Sequence, residues 1–149
     1  EYGDGMIRRT VRFGDGLEID VIPYDLFGSD PMIDYEYLSA RKVAPDERGL
    51  CFLEGVENQP DGLYAFAPEV AVDNDGAPVR IPNDLGLEAG ARVELSILGG
   101  LDCYVDNVHL EEGSWSVLGT ATVNDDATLI ESDPGVALPC LTWMGYRAL

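Results

Sequence analysis

The chain has 149 residues, of which 46% are hydrophobic, and carries 28 acids against nine bases for a formal net charge of −19. That hydrophobic share excludes a disordered acidic tail, and the length suits one domain that hides about 70% of the surface its unfolded chain exposes. The charge excludes nucleic acid and anionic lipid as partners, because both require a basic footprint.

The imbalance is uneven. Residues 1–48 hold 11 acids and six bases (−5), whereas 49–149 hold 17 acids and three bases (−14). A surface this acidic suits cations, a basic protein partner, or simply solubility in salty surroundings. No run approaches the roughly 20 apolar residues of a membrane helix, so membrane insertion is not expected. The opening EYGDGMIRR lacks the apolar centre of a signal peptide, and the expectation is an excised mature fragment.

In chain order, Met6 to Phe13 alternates Ile7, Val11 and Phe13 against Arg8, Thr10 and Arg12, which predicts a first strand. Arg9 then falls on the inward phase and needs a carboxylate or an edge position. Gly14-Asp15-Gly16 is a hairpin-type turn into Leu17, Ile19 and Val21, and Pro23 ends that second strand. Ser29 to Leu38 admits a helix, capped by Ser29 or Asp30 with Pro31 in its first turn. It also admits a strand in which Ile33, Tyr35 and Tyr37 alternate with Asp34 and Glu36, and period-two aromatics favour the strand. Ala44 to Arg48 reads as a polar connector and Leu50 to Glu54 as a short, fully buried strand. The loop from Glu57 to Gly62 leads into Leu63 to Pro68 and Val70 to Val72, which approach the turn Asp73-Asn74-Asp75-Gly76.

From Pro78 to Tyr146 the pattern is clearest. Val93, Leu95 and Ile97 face one way and Arg92, Glu94 and Ser96 the other. Trp115 and Val117 share a face opposite Ser114 and Ser116, Ala121 and Val123 alternate with Thr120 and Thr122, and Leu141, Trp143 and Gly145 repeat the spacing. Asn83-Asp84, Gly99-Gly100, Asn124-Asp125-Asp126 and Asp133-Pro134-Gly135 punctuate these runs with turn chemistry. The expected architecture is all-β: a two-sheet antiparallel β-sandwich with little or no helix. It forms a single domain over 1–149, with halves 1–76 and 77–149.

Of three cysteines, Cys103 and Cys140 both lie in the C-terminal half. Bridging them would stabilise the fold by about 3–4 kcal/mol through loop closure. Cys51, in the apolar run Leu50-Cys51-Phe52-Leu53, is expected to be a buried free thiol. No CxxC or Cys/His cluster has zinc spacing. An oxidising compartment follows if the bridge forms.

The order GLEIDVIPYDL, MIDYEYLSARKVAP and GLYAFAPEVAVDNDGAPVRIPNDLGLEAGARVEL resembles the ZU-type β-sandwich of ankyrins and netrin receptors, in particular bacterial versions in large secreted or cell-surface proteins. The likeness rests on Gly16 to Pro23, on Tyr64-Ala65-Phe66-Ala67-Pro68, and on Pro78 to Asn83 with Gly86-Leu87 and Gly90 after it. In the tail it continues through Gly113, Trp115, Gly119, Thr120, Val123, Ser132-Asp133-Pro134-Gly135 and Trp143, so it spans about Gly14 to Trp143. Leu101 to Glu112 departs from the pattern as an insertion, and Cys140 stands where an ordinary residue is expected, which favours a staple between insertion and tail. The resemblance implies a rigid Ig-like interaction or spacer module whose partners are proteins or neighbouring domains of the same chain, and it brings no catalytic residues.

His109 is the only histidine, and its neighbours Glu111, Glu112 and Ser114 supply the types for nucleophilic catalysis without any reason to converge. Leu110 and Glu111 follow it, so self-cleavage lacks its acceptor hydroxyl, and no enzyme is expected. Asp73-Asn74-Asp75-Gly76 fails the EF-hand pattern. A looser calcium site from Asp73 and Asp75, or from Asp125 and Asp126, is the metal alternative; no other cofactor is called for. Trp115, Trp143, Tyr104 and Tyr146 suggest a sugar-stacking platform, but the two tryptophans sit at inward phases. Tyr104, with Asp102 and Asp106 beside it, is therefore the better exposed ligand candidate. Lys42 is the only lysine, so an intramolecular isopeptide link would have to use it, and nothing near it in sequence forces that reading.

Overall fold

The computed structural model describes residues 6–28, 37–47 and 49–149. Twelve strands are found among them: β1 (Arg9–Arg12), β2 (Glu18–Val21), β3 (Leu26–Phe27), β4 (Ser39–Val43), β5 (Gly62–Val72), β6 (Val79–Pro82), β7 (Arg92–Leu98), β8 (Tyr104–Val105), β9 (Val108–His109), β10 (Trp115–Val123), β11 (Leu129–Ser132) and β12 (Cys140–Ala148). The described residues contain no α-helix, with 3-10 turns at Pro23–Asp25 and Cys51–Leu53, and no helix among them is long and apolar enough to cross a membrane.

Ten strands form one antiparallel sheet in the order β1-β2-β6-β11-β10-β7-β12-β5-β3, with β4 on the same edge of β5 as β3. β8 and β9 form a separate hairpin. The ten-stranded sheet is curled. Phe13, at the β1–β2 turn on one margin, packs edge-on against Phe66 of β5 on the other, with ring centroids 5.9 Å apart. Strands this far apart along a ladder meet only if the sheet wraps around its own apolar face, which right-handed twist permits.

That inner face follows the predicted alternation. Leu17, Ile19, Val21, Val93, Leu95, Ile97, Ala121 and Val123 are all buried in one cluster, joined by Tyr64, Met144 and Tyr146. The expected turn 14–16 closes the β1–β2 hairpin, with Gly16 N–H donating to Phe13 O at 3.0 Å. Arg9 is exposed on the outermost strand.

Several expectations fail for one physical reason: bulges shift the phase of a strand. Between Val117 and Gly119 the β10–β7 register slips, so Trp115 and Val117 face outward with Leu98 and Ser96 while Ala121 faces inward with Val93. Val117 is consequently 65% exposed. Gly119 holds φ at +151°, and a Cβ there would lie 2.7 Å from Val136 Cγ2, so only glycine accommodates both the backbone and the neighbour. A second shift between Leu141 and Trp143 places Leu141, Met144 and Tyr146 in the main core and turns Trp143 outward.

The outward aromatics build a smaller cluster of Val43, Leu53 and Leu63, with Phe52, Ala65, Trp115 and Trp143 partly buried around it. Leu50 to Glu54 is therefore not a buried strand. It is a 3-10 turn lying over the tryptophans, in which Phe52 O accepts from Trp115 Nε1 at 3.2 Å and Cys51 is exposed rather than buried. Leu63 to Val72 belongs to one continuous strand with the cis Ala67–Pro68 bond inside it, and Ser39–Val43 is a strand that the sequence reading passed over. Most of the strand expected over 29–38 lies outside the described residues; Tyr37 and Leu38 lead into β4.

Candidate functional site

The insertion is built as its sequence allows. Asp106 and Asn107 adopt positive φ of 49° and 62°, so the two-residue loop between Val105 and Val108 turns β8 directly into β9. Its base is held in three ways. Cys103 is disulfide-bonded to Cys140 on β12, with Cα atoms 5.1 Å apart. Asp102 N–H donates to Glu69 Oε1 at 3.2 Å. His109 Nε2 donates to Gly100 O at 2.9 Å and lies 3.2 Å from Leu101 O, while its ring meets Tyr104 edge-on at 5.0 Å.

Beside this hairpin runs the turn Asp73–Gly76, fixed to the 3-10 turn at Pro23–Asp25. Asp73 N–H donates to Asp25 O at 2.8 Å and Asn74 Nδ2 to Asp25 Oδ1 at 2.7 Å. Between hairpin and turn lies a cleft of about 860 Å³ lined by Asp73, Asp75, Asp102, Tyr104 and Asp106, with Ala71, Val72 and Pro139 at its floor. The structure thus brings the Tyr104 group and the Asp73/Asp75 pair into one concavity, which their sequence positions did not reveal. Tyr104 is 46% exposed there. Asp125 and Asp126 are not part of the cleft. They occupy the β10–β11 turn, where Thr128 Oγ1 and N–H both donate to Asp126 Oδ1 and hold its carboxyl below the usual range. Among the described residues, no three His, Cys, Asp or Glu side chains are grouped to hold a metal ion.

Trp115 and Trp143 are partly buried beneath the Phe52 turn, with a Phe52–Trp143 ring separation of 4.8 Å. Tyr146 is fully buried. It stacks on Tyr64 at 6.1 Å and lies across Gly62, where any Cβ would collide with the ring. Burial pushes both phenols well above their ordinary value of 10.0, with Asp15 adding to the effect on each. The Tyr146 hydroxyl donates to Asp84 at 3.0 Å from Oδ1 and 3.1 Å from Oδ2, and Lys42 Nζ contacts Oδ2 of the same carboxylate. This Lys42-Asp84-Tyr146 group was not singled out as a site from sequence; the lone lysine was its only signal.

Two further polar networks lock the outer face. Arg80 reaches Asp20 through Nη1 at 2.7 Å and Nη2 at 2.8 Å, and Glu18 through Nε at 2.9 Å. Arg12 adds a second contact to Glu18 at 2.7 Å. The Arg80 guanidinium holds both carboxyls below their ordinary range. Asp133 accepts from Thr120 at 2.6 Å and Thr122 at 2.7 Å, which lowers its pKa in the same way.

Compared with known proteins, the chain matches no family model, no curated protein and no solved structure.

Proposed function

We propose that this domain is a non-catalytic structural or protein-interaction module of a secreted or cell-surface bacterial protein, with its curled sheet working as the two-layered sandwich of the ZU type. The observation that carries this reading is where the chemically capable side chains are used. His109 ties the hairpin to the backbone at Gly100, Arg80 clamps Glu18 and Asp20, and Asp133 bridges Thr120 and Thr122. Groups committed to such contacts stiffen the module rather than stand ready for acid–base work. The Cys103–Cys140 bridge supports the extracellular assignment, because such bonds persist in oxidising compartments. Partners on this reading are neighbouring domains of the same chain or a separate protein.

The cleft favours a second reading as a carbohydrate- or calcium-binding module, since Tyr104 stands exposed among Asp73, Asp75, Asp102 and Asp106. Calorimetric titration with calcium and a glycan array separate the two. Silence in both supports the structural module, whereas saturable binding abolished by Tyr104→Ala or Asp75→Asn replaces it with the second reading.

A further inference from the structure

The chain's single lysine sits where its amine meets a carboxylate from the far side of the curl. Lys42 lies on β4, an edge strand, directly opposite Tyr64 of β5. Asp84 follows β6, which lies five strands from β5 along the ladder. Lys42 Nζ and Asp84 Oδ2 are in contact, and the buried Tyr146 hydroxyl donates to the same carboxylate from beneath. A surface ion pair needs no such third partner. Here a fully buried phenol, itself fixed by stacking on Tyr64, holds the carboxylate against the amine.

We propose that Lys42 and Asp84 condense to an intramolecular isopeptide bond joining β4 to the turn after β6. The ion pair holds every atom the reaction needs. One ammonium proton passes to the carboxylate, and the freed nitrogen lone pair attacks Asp84 Cγ to form a tetrahedral centre. A second nitrogen proton then moves to the departing hydroxyl, the Cγ–O bond breaks and one water leaves. The third proton stays on the new amide nitrogen, and no oxidant, reductant or other reactant takes part. The Tyr146 hydroxyl lies within 3.1 Å of both Asp84 oxygens, so a fixed donor is at hand for whichever of them gathers negative charge in the tetrahedral centre. Oriented intramolecular partners behave as though present at about 10⁵–10⁸ M, enough for a condensation that separate amines and carboxylates do not undergo in water. The side chains of Lys42 and Asp84 keep 41% and 30% exposure, which gives the released water a way out.

Such a bond would fasten the edge strand β4 to the turn after β6 across the curl, where no backbone ladder among the described residues joins them. The disulfide closes the hairpin end, and a link made by condensation would survive reductant. The inference does not rest on the module reading, which stands whether or not the bond forms.

Intact mass of the purified chain under reducing, denaturing conditions is the test. The expected mass falls short of the sequence mass by one water, and trypsin releases residues 42–48 joined to 81–92 as one branched peptide. Lys42→Arg and Asp84→Ala each restore the full mass. Tyr146→Phe, which keeps the buried ring, forms the link at least about tenfold more slowly after refolding. A wild-type chain that retains the full sequence mass after prolonged incubation at neutral pH overturns the proposal. So does a water loss confined to one linear peptide, the mark of a succinimide at an Asp-Gly pair such as Asp75-Gly76.

Discussion

Strand β7 shows both faces of the sheet at once. Val93, Leu95 and Ile97 are fully buried on the inside, whereas Glu94 and Ser96, one residue out of phase, are only half-covered on the outside and Glu94 accepts from Arg147 at 3.1 Å. The inner face is sealed by the sheet's own curl. Its outer counterpart is covered piecemeal, by the Phe52 turn over Trp115 and Trp143 at one place and by Arg80 and Asp133 networks elsewhere. A core sealed on all sides is close-packed and cannot relax into a deletion, while a patch under a short turn can admit water or shift.

The largest expected effect lies inside. Leu95→Ala should cost about 2–5 kcal/mol by urea unfolding, since its methyl groups leave a cavity that neighbouring strands cannot close. A loss below that of an exposed site would remove the distinction between the faces. Trp115→Ala, on the outer patch, should cost about 2 kcal/mol, with enhanced proteolysis confined to the Phe52 turn that it anchors. Cooperative loss of the whole fold would instead make the outer patch part of the main core.

Arg80→Ala should cost about 1–2 kcal/mol at neutral pH, because it strands Glu18 and Asp20 without their charged donor. The pH dependence has a fixed sign. Both carboxyls are held below their ordinary values of 4.5 and 3.8, so their contribution is complete above those values and fades as pH falls through the lowered ones. Wild type and Arg80→Ala should therefore converge in stability in acid and diverge on return to pH 7; parallel curves throughout would contradict the network. Smallest is Cys51→Ser, which should change stability by no more than about 0.5 kcal/mol, because the thiol is exposed. Rapid labelling of native protein by a thiol reagent at that one position checks the exposure directly.

Much of the inner face was legible before the fold was known. Period-two runs such as Leu17, Ile19, Val21 and Val93, Leu95, Ile97 need only local geometry to choose their side. The turn residues were legible too, as was the Cys103–Cys140 staple between insertion and tail, whereas the hairpin that the insertion forms was not. Trp115, Val117 and Trp143 were misread because a bulge is a property of two strands, and nothing in one of them announces that its neighbour will slip. Cys51 was misread because an apolar run of this length fits a strand and a covering turn equally well. At the candidate cleft, Asp73 with Asp75 and Tyr104 with Asp102 and Asp106 were picked out as two separate groups, yet their convergence depends on how the hairpin is seated on β12.

The amino-acid order by itself determined the β character, the acidic surface, the turn positions and which residues seek burial, because alternation, charge and backbone preference act over a few residues. Only the tertiary structure decided that one sheet would curl until Phe13 met Phe66, which face the tryptophans would take, and that the single lysine would meet Asp84. Those outcomes depend on strand order and register, which are set by the summed fit of surfaces distant in sequence and are written in no single segment.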